Sequence, residues 1–278
     1  PRLGSIIASE LTPSRNMPAY VIAPPIDRPY LNYFNAGFIG ARYQPMVVPD
    51  PAQENFQVPD LVLPKEISMD RLSQRHSFLE IVDHLYRRQE QQAQFSALDN
   101  FRQQALTIRG SPRVRQAFDL SQDSEKTRDE YGRNRFGQSV LLARRLIESG
   151  VRLVTINSFL TVFDQLSWDI HGSKPFMSIK QMKEIVAPMY DRGYSALIED
   201  LDDRGLLDDT LVSTMSEFGR TPKVNPAGGR DHWPQCFTVS FAGGGVQGGR
   251  VVGKSDPVGG FPAERPVAPP EVVATIFH

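Results

Sequence analysis

From Gly150 to Ala242 the sequence alternates β-rich runs with one long helical stretch, and this alternation restricts the fold more than any other feature. Val151-Arg152-Leu153-Val154-Thr155-Ile156-Asn157 reads as a strand that follows a helix running from about Asn134 to Glu148. That helix carries Val140, Leu141 and Ile147 and closes at Gly150, a residue suited to a left-handed cap. Residues 178–204 read as the next helix, with a kink at Pro188 and a stop at Arg204-Gly205. Thr210 to Ser216 and Phe237 to Ala242 read as two further strands, the second ended by Gly243-Gly244-Gly245. Strands alternating with helices predict βαβ units and a largely parallel sheet. Such sheets gather ligands outside the carboxyl ends of their strands.

Proline divides the chain of 278 residues into three zones, with eleven of the 22 prolines before residue 65 and only Pro112 between 65 and 150. The first zone holds strand-like pieces, Gly4-Ser5-Ile6-Ile7-Ala8 and Ala19-Tyr20-Val21-Ile22, separated by turns such as Ala23-Pro24-Pro25. It reads as extended chain wrapped over a core. In the second, Ile67, Leu72, Phe78, Leu79, Val82 and Leu85 recur at helical spacing among Arg71, Arg75, Arg87 and Arg88. Phe95 to Ile108 continues that pattern to a stop at Gly110-Ser111-Pro112. The expectation is a single α/β domain over residues 1–278, with a mainly helical insertion at 65–130.

Composition excludes several classes of partner. A formal charge of −1 with no basic block argues against nucleic acid. No apolar run approaches the ~20 residues of a membrane span. A single cysteine, Cys236, excludes an internal disulfide and a multi-cysteine zinc site. Pro1 and the closing Ala274-Thr275-Ile276-Phe277-His278 read as cut ends, so the compartment stays open.

Three polar motifs fall where the alternation places strand ends. In Trp168-Asp169-Ile170-His171-Gly172, the two-residue spacing sends Asp169 and His171 to one face of an extended segment. A carboxylate and an imidazole so placed suit a zinc- or manganese-type ion; alternatively Asp169 orients His171 or caps the helix starting near Ser178. Ser216-Glu217-Phe218-Gly219-Arg220-Thr221-Pro222 puts Glu217 on a cation and Arg220 on an anion, or pairs the two at a turn. Gly228-Gly229-Arg230-Asp231-His232-Trp233 permits close backbone approach and then offers a cation, a carboxylate and an imidazole. Its alternative is a structural turn with His232 packed on Trp233. Of five histidines, His76 and His84 read as surface or interhelical, His278 is terminal, and the other two fall in these motifs.

Other motifs are set aside. Gly243 to Gly249 lacks the Lys-Ser/Thr of a phosphate-binding loop and reads as a turn between strands. Arg144-Arg145 reads as the solvated face of its helix, and no Gly-x-Ser-x-Gly elbow exists.

Together, Phe136 to Val151, Trp-Asp-x-His-Gly, Glu-Phe-Gly-Arg-Thr-Pro, Gly-Arg-Asp-His-Trp, the Ala-Gly-Gly-Gly run and the terminal Ala-Thr-Ile resemble the domain of unknown function 1501 proteins over nearly the whole chain. These are regarded as sulfatase-like members of the alkaline phosphatase superfamily, abundant in planctomycete-type bacteria and often exported. The resemblance implies a mostly parallel sheet sandwiched by helices and a two-metal site of zinc, manganese or calcium that cleaves phosphate or sulfate esters, among them those of carbohydrates. It likens Asp169, His171 and His232, with Asp231, to metal ligands and sets Glu217 at a ligand position; the three strand-end motifs add the expectation that Arg220 and Arg230 bind the anionic group. Phe218 stands where the superfamily carries a ligand histidine, and Glu217 where it carries Asp. The superfamily's nucleophile lies near the N-terminus, in a region this chain is expected to lack, so Ser5, Ser9 and Thr12 are not assigned to it. The rival is a catalytically silent anion- or carbohydrate-binding or scaffold domain of the same fold; a structural module with only ion pairs at these motifs is the third reading.

Overall fold

A computed structural model describes residues 3–11, 17–25, 36–40, 43–61, 71, 74, 77, 108, 110–158 and 166–278. His76, His84, Thr12 and most of residues 65–109 of the helical zone expected at 65–130 lie outside these residues. The chain forms two compact units.

The first unit comprises residues 1–23, 33–122 and 145–155. Its centre is a parallel sheet of three strands, β1 (Tyr20–Ala23), β2 (Met46–Val47) and β3 (Leu153–Ile156), in the order β2-β1-β3. All four residues of β1 are buried, as a central parallel strand requires. The first zone therefore supplies the middle of this sheet rather than a wrapping. Gly4 to Ala8 is not a strand: α1 (Leu3–Glu10) is helical and turns Ser5, Ile7 and Ala8 inward. Ala8 packs on Tyr20 and Ile22, and burial of that face outweighs the β-branched pair Ile6-Ile7. Tyr20 shares a hydrogen bond of 3.1 Å with Thr155 of β3. Ser111-Pro112 also opens a helix, α2 (Pro112–Phe118): the Ser111 hydroxyl accepts from Val114 N–H and proline fills the first turn, where its missing N–H costs nothing.

The second unit comprises residues 24–32, 123–144 and 156–278. Helix α3 (Glu125–Tyr131) leads to α4 (Arg135–Glu148), whose last residues, from Arg145, belong to the first unit. Helix α4 ends as expected, with Gly150 at φ 100° donating to the Ile147 carbonyl. The helix over 178–204 is composite. A short turn, α5 (Ile179–Gln181), begins with a capping box at Ser178, passes through a π-helical turn at Met182–Val186, and continues as α6 (Ala187–Asp203). The π turn sits immediately before Pro188, which cannot donate to the preceding turn.

The later strands depart from βαβ order. Strand β4 (Val212–Thr214) pairs antiparallel with β7 (Ser240–Ala242). Between them runs a loop bearing the two-residue ladder of β5 (Gly219–Arg220) and β6 (His232–Trp233), rather than a helix that could return the chain in parallel. Strands β8 (Lys254–Ser255) and β9 (Pro262–Glu264) form a further antiparallel pair, and α7 (Pro269–Phe277) closes the chain.

Arg144 corrects the sequence reading most clearly. It is 2% exposed and lies among acids: its guanidinium bonds Asp123 through Nη2 and meets Asp200 at 2.8 Å through Nε. The Tyr131 hydroxyl donates to the same Asp200 at 2.9 Å. Helix α6 covers this face, so it is no solvated surface. Arg145 is half-buried and donates to the carbonyls of Gln116 and Ala117.

Candidate metal centre

The centre lies wholly in the second unit and is built where two loops cross. One carries Trp168 to Gly172; the other runs from β5 through Asn225 to β6. Arg230 N–H donates to the Ile170 carbonyl at 2.7 Å, tying the loops directly. The approach is so close that a Cβ on Gly229 would stand 2.2 Å from the His171 carbonyl carbon and 2.3 Å from Gly172 N. Gly172, at φ 107°, meets the Ala227 carbonyl oxygen in the same way, at 2.5 Å. Backbone lies against backbone here, and only glycine fits.

Asp169 and His171 do project to one face, with the Asp169 carboxylate contacting His171 Nδ1. Asp169 is buried, His171 half-buried and His232 exposed. Each offers one ligand atom, and the three atoms lie within 4.8 Å of one another. Two imidazoles and a carboxylate form the donor set that zinc and its first-row neighbours prefer, so the side chains fit a divalent transition ion by chemistry as well as position.

His232 is positioned by the β5–β6 ladder, in which Arg220 stands opposite His232 and Gly219 opposite Trp233. Alternation sends Phe218, Arg220 and His232 to one side and Trp233 to the other. The His232 ring stacks on Phe218, centroids 4.0 Å apart, and lies 4.8 Å from His171. It does not pack on Trp233, whose indole donates to the Gly260 carbonyl at 2.6 Å. Although the residue is exposed, partial desolvation of its ring, aided by the charges of Arg220 and His171, holds the His232 pKa below the ordinary histidine value, with Asp169 and Glu217 opposing the shift. The direction favours the neutral ring, the form that binds a metal.

Arg220 sits beside the acid, Nη1 3.7 Å from Asp169 Oδ1. It also donates to the carbonyls of Trp168 at 3.0 Å and Arg230 at 3.3 Å. Burial lowers its pKa somewhat, against the pull of Asp169, Glu217 and Asp231. Arg230 uses Nη1 to hold the Thr221 and Pro222 carbonyls, both at 2.7 Å, so it shapes the loop. Glu217 is exposed and outside the three-residue cluster, near enough for its charge to act on Arg220 and His232. Asp231 likewise stands outside, its carboxylate accepting from Asn225 Nδ2 at 3.0 Å. The helix near Ser178 is capped by Ser178 itself and does not call on Asp169.

Asn225 is a residue of this centre that the motif reading did not find. Its Nδ2 also donates to the His171 carbonyl at 3.0 Å, and its Oδ1 accepts from Ala227 N–H and Gly229 N–H. The Asn-Pro dipeptide at 225–226, a turn former, was the available clue. An aromatic group adjoins the centre: Trp168 meets Tyr190 edge-on at 5.4 Å, and Tyr190 stacks on Tyr194.

A family model described as "Protein of unknown function (DUF1501)" matches residues 1–278. No curated protein and no solved structure matches the chain.

Proposed function

We propose that this chain, which belongs to the family of proteins of unknown function (DUF1501), is a metal-dependent hydrolase-like protein acting on phosphate or sulfate esters. The observation that carries the reading is the convergence of Asp169, His171 and His232, with three ligand atoms inside 4.8 Å, at a crossing of loops next to a guanidinium. A divalent ion bound there would polarise the ester oxygens and lower the pKa of bound water. Asp169 and the two imidazoles would hold the ion, with zinc favoured over manganese and calcium because two of the three donors are nitrogen. Arg220 takes the non-bridging oxygens of the ester, and Glu217 and Asp231 lie close enough to set the local field. No residue of this chain is assigned as nucleophile. An alkaline-phosphatase-like sandwich, export from the cytoplasm, and carbohydrate esters as substrates belong to the same proposal. Among the described residues no helix is long and apolar enough to cross a membrane.

One observation favours the catalytically silent alternative, an anion- or carbohydrate-binding domain. Phe218 covers a face of His232, and Arg220 already neutralises Asp169. A panel of phosphate and sulfate monoesters, assayed with zinc and with manganese, separates the two. Turnover lost in His171→Ala supports the hydrolase; metal and anion binding without turnover of any ester supports the silent domain.

A further inference from the structure

We infer that Asn225 is the positioning residue of the metal centre, fixing the separation of the two histidine-bearing loops through a single fully committed side-chain amide. This rests on the metal reading above. A side-chain amide offers two donors and two acceptor positions. Asn225 uses all four: Nδ2 donates to the His171 carbonyl and to Asp231 Oδ1, both at 3.0 Å, and Oδ1 accepts from Ala227 N–H at 3.0 Å and Gly229 N–H at 2.9 Å.

The two donor bonds reach the two halves of the centre. One ends on the backbone of His171 itself. The other ends on Asp231, the residue before His232, and Asp231 N–H in turn donates to Thr221 Oγ1 at 3.1 Å. The two acceptor bonds close the turn that delivers Gly229 to its contact with Gly172, so the same amide forms the crossing and spans it. Donors on one edge and acceptors on the other also fix which way the amide faces. No other side chain of this size reproduces that pattern: aspartate keeps the acceptor edge and loses the bridging one, while alanine loses both.

Groups that orient metal ligands from behind cost about 10–100-fold in affinity when removed. The probe is Co²⁺, whose visible absorption reports ligand number and geometry, titrated into the full chain as wild type, Asn225→Asp, Asn225→Ala and His171→Ala. Circular dichroism and thermal midpoints are taken on the same metal-free samples. The expected result is Co²⁺ bound by wild type, and at least tenfold weaker binding with an altered spectrum in Asn225→Asp. The added carboxylate would by itself strengthen cation binding, so a loss reports geometry rather than charge. Asn225→Ala should weaken binding further; should it unfold, Asn225→Asp decides alone.

Wild-type affinity and spectrum in a folded Asn225→Asp would overturn the inference and leave the metal reading standing. Wild type binding no more Co²⁺ than His171→Ala would overturn the metal reading and the inference with it.

Discussion

Replacing Arg144 by methionine removes a buried cation and little volume, and it measures how much of the second unit rests on one ionic cluster. The Arg144 side chain is 2% exposed, and its partners Asp123 and Asp200 are 7% and 18% exposed. Methionine keeps most of the aliphatic stem packed between α4 and α6, so the loss is electrostatic. Two carboxylates then remain in a poorly solvated site, where Tyr131 and Arg204 still serve Asp200. Removing one partner of a buried pair costs about 3–5 kcal/mol, chiefly through the charge left behind. With a urea m-value of about 2 kcal/mol/M, the unfolding midpoint should fall by roughly 1.5–2.5 M. Trp168 and Trp233, the only tryptophans, both lie in this unit, so their fluorescence reports its unfolding. The triple variant Asp123→Asn, Arg144→Met, Asp200→Asn should recover most of the loss, because no uncompensated charge remains in the buried site and Arg204, which loses Asp200, is 37% exposed. An Arg144→Met protein within about 1 kcal/mol of wild type would refute the reasoning, since a buried cation between two acids cannot be removed so cheaply.

Other expectations follow from the same geometry. Burial pushes the Asp200 carboxyl up, but hydrogen bonds from Arg204 and Tyr131 and the charge of Arg144 together hold it below the ordinary carboxylate value. A depressed pKa gives stability that is intact above about pH 4 and lost as pH falls through the folded-state value, so Asp200→Asn should flatten the acid limb of urea midpoints measured from pH 5 to 3. Burial and the Asp200 charge raise the Tyr131 pKa far above the ordinary phenol value. Its contribution is intact below about pH 10 and lost above, and absorbance at about 295 nm should show one fewer phenolate appearing with unfolding in Tyr131→Phe than in wild type. Arg220→Gln should tighten metal binding severalfold, by removing a cation 3.7 Å from Asp169, while weakening turnover or binding of anionic esters; isothermal titration reads both. Gly229→Ala should lower metal affinity at least tenfold and also lower the thermal midpoint by several degrees, because its Cβ would overlap the backbone of Ile170, His171 and Gly172, which cannot give way as a flexible side chain would.

The centre was more legible in the sequence than the fold around it. The i, i+2 spacing of Asp169 and His171 sufficed to put both on one face, and His232 joined them because its motif follows a short turn. Glu217 and Asp231 look like ligands in sequence but stand outside the cluster, since a spacing does not say which side of a two-residue ladder a neighbour takes. Asn225 escaped because its Asn-Pro turn reads only as local turn chemistry, while the bond that ties it to the other half of the centre ends on the His171 carbonyl 54 positions away. The helix at 135–148 and its Gly150 cap were plain from periodicity and turn chemistry. Arg144 was misread on that helix because a guanidinium looks solvated until the acids facing it from Asp123 and Asp200 are placed by tertiary packing. The parallel order expected after β3 failed for a similar reason: β4 and β7 read as good strands, but the chain between them holds a small ladder where a crossover helix would be needed.

The central claim is that Asp169, His171 and His232 hold a metal, and elemental mass spectrometry of the full chain purified without added metal tests it directly. Wild type should carry about one equivalent of a transition metal, lost in His171→Ala and His232→Ala with the fold intact by circular dichroism. Folded wild-type protein with no metal, or equal metal in all three proteins, would contradict it.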